Sequence, residues 1–342
     1  MKKYLLLLFC SFLLAINASA KIWRVNNTGV PADFTTAQGA NNSASVLNGD
    51  TLHFEPSGLS YGNLFLTKGL VLIGNGFFLG TAAANSNPDL QANTGSSKID
   101  NLYYQAGSDN SVVEGMYIIT NAYISYGGAP ITNILFRRNC VGGQVSMGYC
   151  SNVQMSQNYL STIYSISGSG AATNLSINNN IFISGVQFDA DDNGTFQNNV
   201  IHVNSQNFVS SFTGFTIRNN IAVSDYFNIG SSTVENNVSW TNGALGNGLN
   251  GNIVIADMTT VFEDLPNASN SFSQDSRFQI KAASPAKTNG TGGSECGIFG
   301  TQNGTAYALS GISNVPSIYK LTAPATVTAN TLNITISTKT NN

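Results

Sequence analysis

The sequence predicts an all-β fold, a single-stranded parallel β-helix with an N-terminal cap and a short C-terminal β extension. Three observations predict it. An asparagine recurs at Asn139, Asn158, Asn180, Asn199, Asn220 and Asn237, in steps of 19, 22, 19, 21 and 17 residues. Fixed offsets from it carry fixed chemistry, apolar three places before (Phe136, Met155, Ile177, Phe196, Ile217, Val234) and apolar one place after (Cys140, Tyr159, Ile181, Val200, Ile221, Val238). Charged residues make up only 9% of the 342 residues while hydrophobic residues make up 42%, against about a quarter charged in ordinary domains.

Each unit reads as turn former, short strand, asparagine bend, short strand. The turn formers stand six places before the bend, at Asn133, Asn152, Asn174, Asn193, Gly214 and Ser231. Asparagine tolerates left-handed backbone and bonds to nearby backbone, and stacked copies bond to one another between coils. One unit cannot hide its own apolar side, so stacking must. That leaves a polar column outside at Arg137, Ser156, Asn178, Gln197, Arg218 and Glu235. A step near twenty is too short for a strand–helix–strand unit, and the leucine frame of leucine-rich repeats is missing.

Taken in order, Lys2 and Lys3, the run LLLLFCSFLLAI and NASA read as a secretory signal peptide over 1–20, cut after Ala20. Phe9 before Cys10 disfavours a lipid anchor. The β-helix and its cap are expected over 21–300, the cap itself over 21–49. GDTLHFEPSG supplies a strand and a turn, GLVLIGNGFFLG a coil, and SVVEGMYIIT another around Gly115, while AAANSNPDLQANTGSS reads as a loop bulging from a coil. The register fades after Trp240, and SPAKTNGTGGSECGIFG is a run of turns. Residues 301–342 read as a linker and a β extension of two or three strands, with Pro316 before the first and Pro324 breaking the run. The extension either caps the last coil or forms a small appended sheet.

Function classes narrow by charge. A formal charge of −3 and no basic track argue against nucleic acid, and no stretch after residue 20 is apolar enough to span a bilayer. Three cysteines follow residue 20, Cys140, Cys150 and Cys296, so not all pair within one chain. Cys140 is either bonded to Cys150 or a small buried hydrophobe. The chain predicts a secreted or periplasmic, soluble protein of unknown oligomeric state.

Candidate chemistry is thin. Asp189, Asp191 and Asp192 either hold calcium, with the Asn193 carbonyl, or form a solvated loop. Asp225 and Glu235 are further acids, and a hydrolase would want two such carboxylates across a groove. His202 is a candidate base or a partly buried, hydrogen-bonded ring, and His53 lies inside the first strand pattern. Arg218, with Arg137 and Arg138, would suit a uronate lyase, which neutralises a carboxylate before taking the adjacent proton; Arg137 and Arg218 stand four coil steps apart. The tyrosines 103, 104, 117, 123, 126, 149, 159 and 164 are candidates for stacking on sugar rings, with Tyr159 in an inward column and one of Tyr103 and Tyr104 facing out.

NILFRRNCV, NVQMSQNYL, NLSINNNIF and FTIRNNIA resemble coils of the right-handed parallel β-helix, pectate-lyase-like superfamily, and GDTLHFEPSGLSYGNLFLTKGLVLIGNG resembles its opening coils. DSRFQIKAASPAKTNGTGGSECGIFG and YALSGISNVPSIYKLTAPATV resemble the closing coil and linker of exported Bacteroidota-type members. Glu295 and Cys296 stand where those members carry an acidic residue and its neighbour. The resemblance implies a right-handed coil but no particular activity, because the superfamily holds lyases, hydrolases, epimerases and adhesins. The leading expectation is an exported protein that binds polysaccharide or a surface partner without catalysis. A polysaccharide lyase or glycosidase, with its groove near the coils of Asn180 to Asn237, and a structural or adhesive spacer are the alternatives.

Overall fold

The computed structural model describes residues 20–80, 86–166, 168–203, 209–210, 212–223, 229–240, 249–265, 272–324, 326 and 331–341. The expected signal peptide lies outside them, except for Ala20. The chain winds as a parallel β-solenoid with two principal sheets. Coil after coil lays one strand into a first sheet, turns at an asparagine corner, and lays another into a second. In the first sheet, Ile131–Arg137, Cys150–Ser156, Leu175–Asn178, Gly194–Gln197, Phe215–Arg218 and Thr233–Glu235 are consecutive neighbours. Their second-sheet partners in each coil begin at Cys140, Tyr159, Ile181, Val200, Ile221 and Val238.

The register stacks the predicted inward column in one row. Phe136 lies against Met155, Met155 against Ile177, Ile177 against Phe196, Phe196 against Ile217 and Ile217 against Val234. The row continues down through Val113, Leu72 and Leu52, and nearly every member is fully buried. Val141, Leu160, Phe182, Ile201 and Ala222 fill the lumen from the second sheet. Alternating residues of a strand face opposite sides, so the outer polar column forms too, pairing Arg137 with Ser156 and onward to Glu235.

The corner differs from expectation in one detail. The left-handed residue is the one before each column asparagine: Arg138, Gln157, Asn179, Asn198, Asn219 and Asn236, all with φ between 54° and 58°. This frees the column asparagine to turn inward. Each side-chain oxygen accepts from the backbone amide of the coil below, from Asn139 N–H onto Asn158 at 2.9 Å through Asn220 N–H onto Asn237 at 2.9 Å. Side-chain amides donate along the same ladder, Asn158 to Asn180 at 2.8 Å. Asn252 extends it by a coil. These groups are buried, where an unpaired amide would cost about 1–3 kcal/mol.

The N-terminal end of the solenoid is capped. Ile22–Val25 pairs in parallel with Thr51–Phe54, and the short helix Ala37–Asn42, capped by Thr36, buries Ala37 and Ala40 in the same core as Leu64 and Leu66. Downstream, one further strand, Ile253–Val254, follows Trp240. Beyond it the chain reverses. Residues 258–265 and 272–314 pack back along the outside of the solenoid toward the first coils, through a series of 3₁₀ turns. The corner residues hold this strap. Thr291 N–H donates to Asn219, Asn198 donates to Gln302 O, Asn179 to Ile298 O and Gly300 O, Gln157 to Thr305 O and Arg138 to Ile312 O.

The strap corrects the placement of the apolar column after the asparagines. Cys140, Tyr159, Ile181, Val200, Ile221 and Val238 face away from the lumen and are buried beneath Phe262, Phe278, Ile298 and Tyr307 in a separate core. Tyr159 therefore belongs to this outer core and not to an inward column. The cysteine alternative resolves the same way: Cys150 points into the lumen, Cys140 into the outer core, and all three described cysteines are free and buried. The C-terminal extension, Ser317–Thr322 paired antiparallel with Thr335–Lys339, does not cap the last coil. It lies beside the first ones, where Ala92 N–H donates to Ile318 O.

Candidate functional surface

The sequence-predicted site residues lie on different parts of the solenoid. Asp189, Asp191 and Asp192 sit in the loop that leads from the second sheet back to the first. Asp192 is buried, and its two oxygens accept from the amides of Ala172 and Asp189, at 2.7 and 2.8 Å; it staples the loop. Among the described residues no three His, Cys, Asp or Glu side chains converge as a metal cage. His202 follows a second-sheet strand and meets Phe278 edge-on at 6.0 Å, under the strap. Burial, and then Arg277, hold its pKa below the ordinary value. Arg218 and Glu235 neighbour each other on the outer face of the first sheet, 3.9 Å apart, with Arg218 also donating to Gln197. Arg137 is paired to Glu114 at 2.7 Å. Arg138 is buried by the strap, with Glu114 and Gln157 as partners. Asp225 lies outside the described residues.

The tyrosine cluster resolves into inner and outer members. Tyr104 is buried in the lumen and Tyr103 faces out, as strand alternation requires. Phe65, Tyr103 and Tyr123 form a continuous outward stack at 4.4 and 4.9 Å with nearly parallel rings, and Tyr126 closes on it edge-first. A sugar stacks on a free ring face, and in Tyr103 both faces are taken by its neighbours. The stack therefore stabilises the coils and offers chiefly ring edges and hydroxyls to a ligand.

The first sheet presents a more open surface, which sequence reasoning noticed only as a mixed outer column. A second outer column runs Leu135, Gln154, Ser176, Thr195, Thr216 and Thr233, in register. Along the outer edge, Asn133 donates to Asn110, Asn152 to Asn133 and Asn174 to Asn152, forming an exposed amide ladder. On the other edge the strap rises over Gln197, which donates to Asn303 O at 2.8 Å. Between these borders the floor from Gln154 to Thr233 is made of hydroxyls and amides, repeating at the spacing of strands, about 4.8 Å. Its only charges in the two columns, Arg218 and Glu235, face each other. The signal was available: three consecutive threonines fall two places before Gln197, Arg218 and Glu235.

No protein-family model and no curated protein matches the sequence, so coil geometry and the site's chemistry carry the reading. They define a capped parallel β-solenoid with an in-register polar trough on its first sheet, whose two charges are paired. No helix among the described residues is long and apolar enough to cross a membrane.

Proposed function

We propose that this is an exported β-helix protein that binds a neutral polysaccharide along the trough of the first sheet and does not cleave it. The reading includes kinship with the pectate-lyase-like superfamily and its exported Bacteroidota-type members, supported by the quoted coil and closing motifs. The observation that carries it is the register of Ser176, Thr195, Thr216 and Thr233 beside Asn178, Gln197 and the paired Arg218 and Glu235. A chain of neutral sugars presents repeating hydroxyls, which such columns can meet as donors and acceptors without desolvating an unpaired charge. A polyanion would meet no free cation there.

The test is retention of purified protein on a panel of neutral glycans, pectin, alginate and glycosaminoglycan, with and without calcium. Calcium-independent retention on a neutral glycan, with no new unsaturated-uronate absorbance and no new reducing ends, is expected. The double variant Thr195→Glu, Thr216→Glu should weaken retention by about tenfold or more, because each carboxylate must be stripped of water against uncharged partners. Product from any polymer would replace this reading with the lyase or glycosidase. Retention indifferent to the double variant would move the site elsewhere, and no retention at all would leave the spacer.

A further inference from the structure

The other half of the first sheet's outer face is chemically opposite. One of its columns reads Ile22, Thr51, Val71, Val112 and Leu135, and the column beside it runs Arg24, His53, Ile73, Glu114 and Arg137, whose charged members are paired, Arg24 with Glu55 and Arg137 with Glu114. The C-terminal hairpin leans against the start of this face and borders an open-sided cleft of about 700 Å³, within the range of about 300–1,000 Å³ typical of small-molecule sites. Ile22, Ile73, Ile318, Leu321 and Ile336 provide its apolar walls, and no Asp, Glu, Lys or Arg lines it.

Three observations narrow the occupant. The hairpin's apolar side chains remain substantially exposed although they face the cleft: Ile318 is 46%, Leu321 59% and Ile336 56% accessible. A body filling the space would cover them. The lining itself supplies no formal charge, and Arg24, beside His53 in the sheet, is paired with Glu55 and donates to the Pro31 carbonyl. The polar group central to the sheet side is His53, kept neutral at pH 7 by burial, which pushes its pKa down. A neutral imidazole both donates and accepts one hydrogen bond. An ionised ligand would enter without a counter-charge, at a desolvation cost the walls do not return.

We propose that this cleft binds an uncharged molecule with an alkyl or aryl body, held between Ile73 of the first sheet and Ile336 of the hairpin, with its polar end at His53. The proposal is independent of the polysaccharide reading, since it uses different residues at the other end of the face.

The test titrates the full chain with the neutral dye N-phenyl-1-naphthylamine and follows its fluorescence. Saturable one-site binding is expected, displaced by 1-dodecanol and displaced about tenfold or more less effectively by dodecanoate or dodecylammonium. Ile73→Asp should weaken dye binding by about tenfold or more, and Ile336→Trp should block it by filling the space. His53→Leu should leave dye binding in place but weaken displacement by dodecanol about three- to tenfold. Leu249→Asp, at a 69% exposed apolar residue on the last coil, should change nothing. Thermal melts of each variant confirm folding, and Ile336 stands on an exposed hairpin, so its variant remains informative if Ile73→Asp unfolds. Absent or non-saturable binding, equal displacement by the ionised chains, or equal loss in the Leu249 control would overturn the proposal. So would dye-dependent dissociation of a dimer in light scattering, which would assign the face to a second copy of the chain.

Discussion

The protein hides its apolar side chains in two places that are built on opposite principles. The lumen is local and periodic: Phe136, Met155 and Ile177 each meet the next coil about twenty residues away. The outer core is assembled by one long return of the chain, which sets Ile298 and Tyr307 against Ile181 and Tyr159 across more than a hundred residues. Every lumen residue is fixed by neighbours above and below, whereas the outer core depends on a strap held from one side, by its own apolar contacts and by hydrogen bonds to the corner residues. The difference implies unequal stability. Coils should survive loss of the strap, and the strap should not survive loss of the coils.

The sharpest test compares one substitution in each region. Phe136→Ala opens a cavity in the lumen and should destabilise the protein by about 3–5 kcal/mol in urea unfolding, with amide exchange accelerated across both sheets. Gly311→Ala acts on the strap. Gly311 has φ of 56°, and an added Cβ would lie 2.2 Å from Phe77 Cε1 and 2.4 Å from the Arg138 carbonyl. Its cost, about 1–3 kcal/mol, should appear as faster exchange confined to 297–314. Uniform acceleration in both variants would mean that the two cores unfold as one unit.

The same contrast explains what was legible in the sequence. The lumen and the ladder follow from spacing, because a repeated environment selects a repeated residue. The strap has no period: its residues meet a different coil every few positions, and glycines, serines and asparagines there read as turns. One signal did point to it. Strand alternation puts the residue after each inward asparagine on the outside, so an apolar column from Cys140 to Val238 needed a cover. The candidate site was less legible than the fold. Alternation requires one of Tyr103 and Tyr104 to face out without saying which, and nothing in the spacing shows that the outer rings cover one another's faces. Asp189, Asp191 and Asp192 read in sequence as either calcium ligands or a solvated loop, and spacing alone does not show that both Asp192 oxygens accept backbone amides. The trough needed the register of six coils to become visible.

The asparagines offer a second, smaller comparison, between a buried ladder and an exposed one. Asn180 accepts from the Asn158 backbone and side chain and donates to Asn199 and to the Met155 carbonyl. Asn180→Ala strands several of these in a dry corner and should cost about 2–3 kcal/mol. Asn152 bonds Asn133 and Asn174 in the exposed ladder, where water replaces them. Glycine tolerates its left-handed backbone, so Asn152→Gly should stay within about 1 kcal/mol. Equal costs in urea melts would show that the exposed ladder is structural and weaken its reading as a border of the binding trough.

The smallest expected effect is the pH dependence that His202 adds to the outer core. His202 is half-buried against Phe278, and its partial burial and Arg277 both lower its folded pKa beneath the ordinary 6.5. In the window from about pH 7.5 down to the depressed folded value, the unfolded chain binds a proton that the folded chain refuses. Stability is therefore full above the unfolded pKa and falls as the pH drops through that window. His202→Phe removes the titration while keeping the ring contact, so its unfolding free energy should vary less between pH 7.5 and pH 5 than that of the parent. His53 lies outside the outer core and shifts in the same direction, so the residual slope of the His202 variant should shrink further in the double variant with His53→Leu. If the slope lies in His202, exchange at pH 5 should rise first in the strap over that ring and only later in the lumen. A rise that begins in the lumen would contradict the order of stability inferred from the two cores.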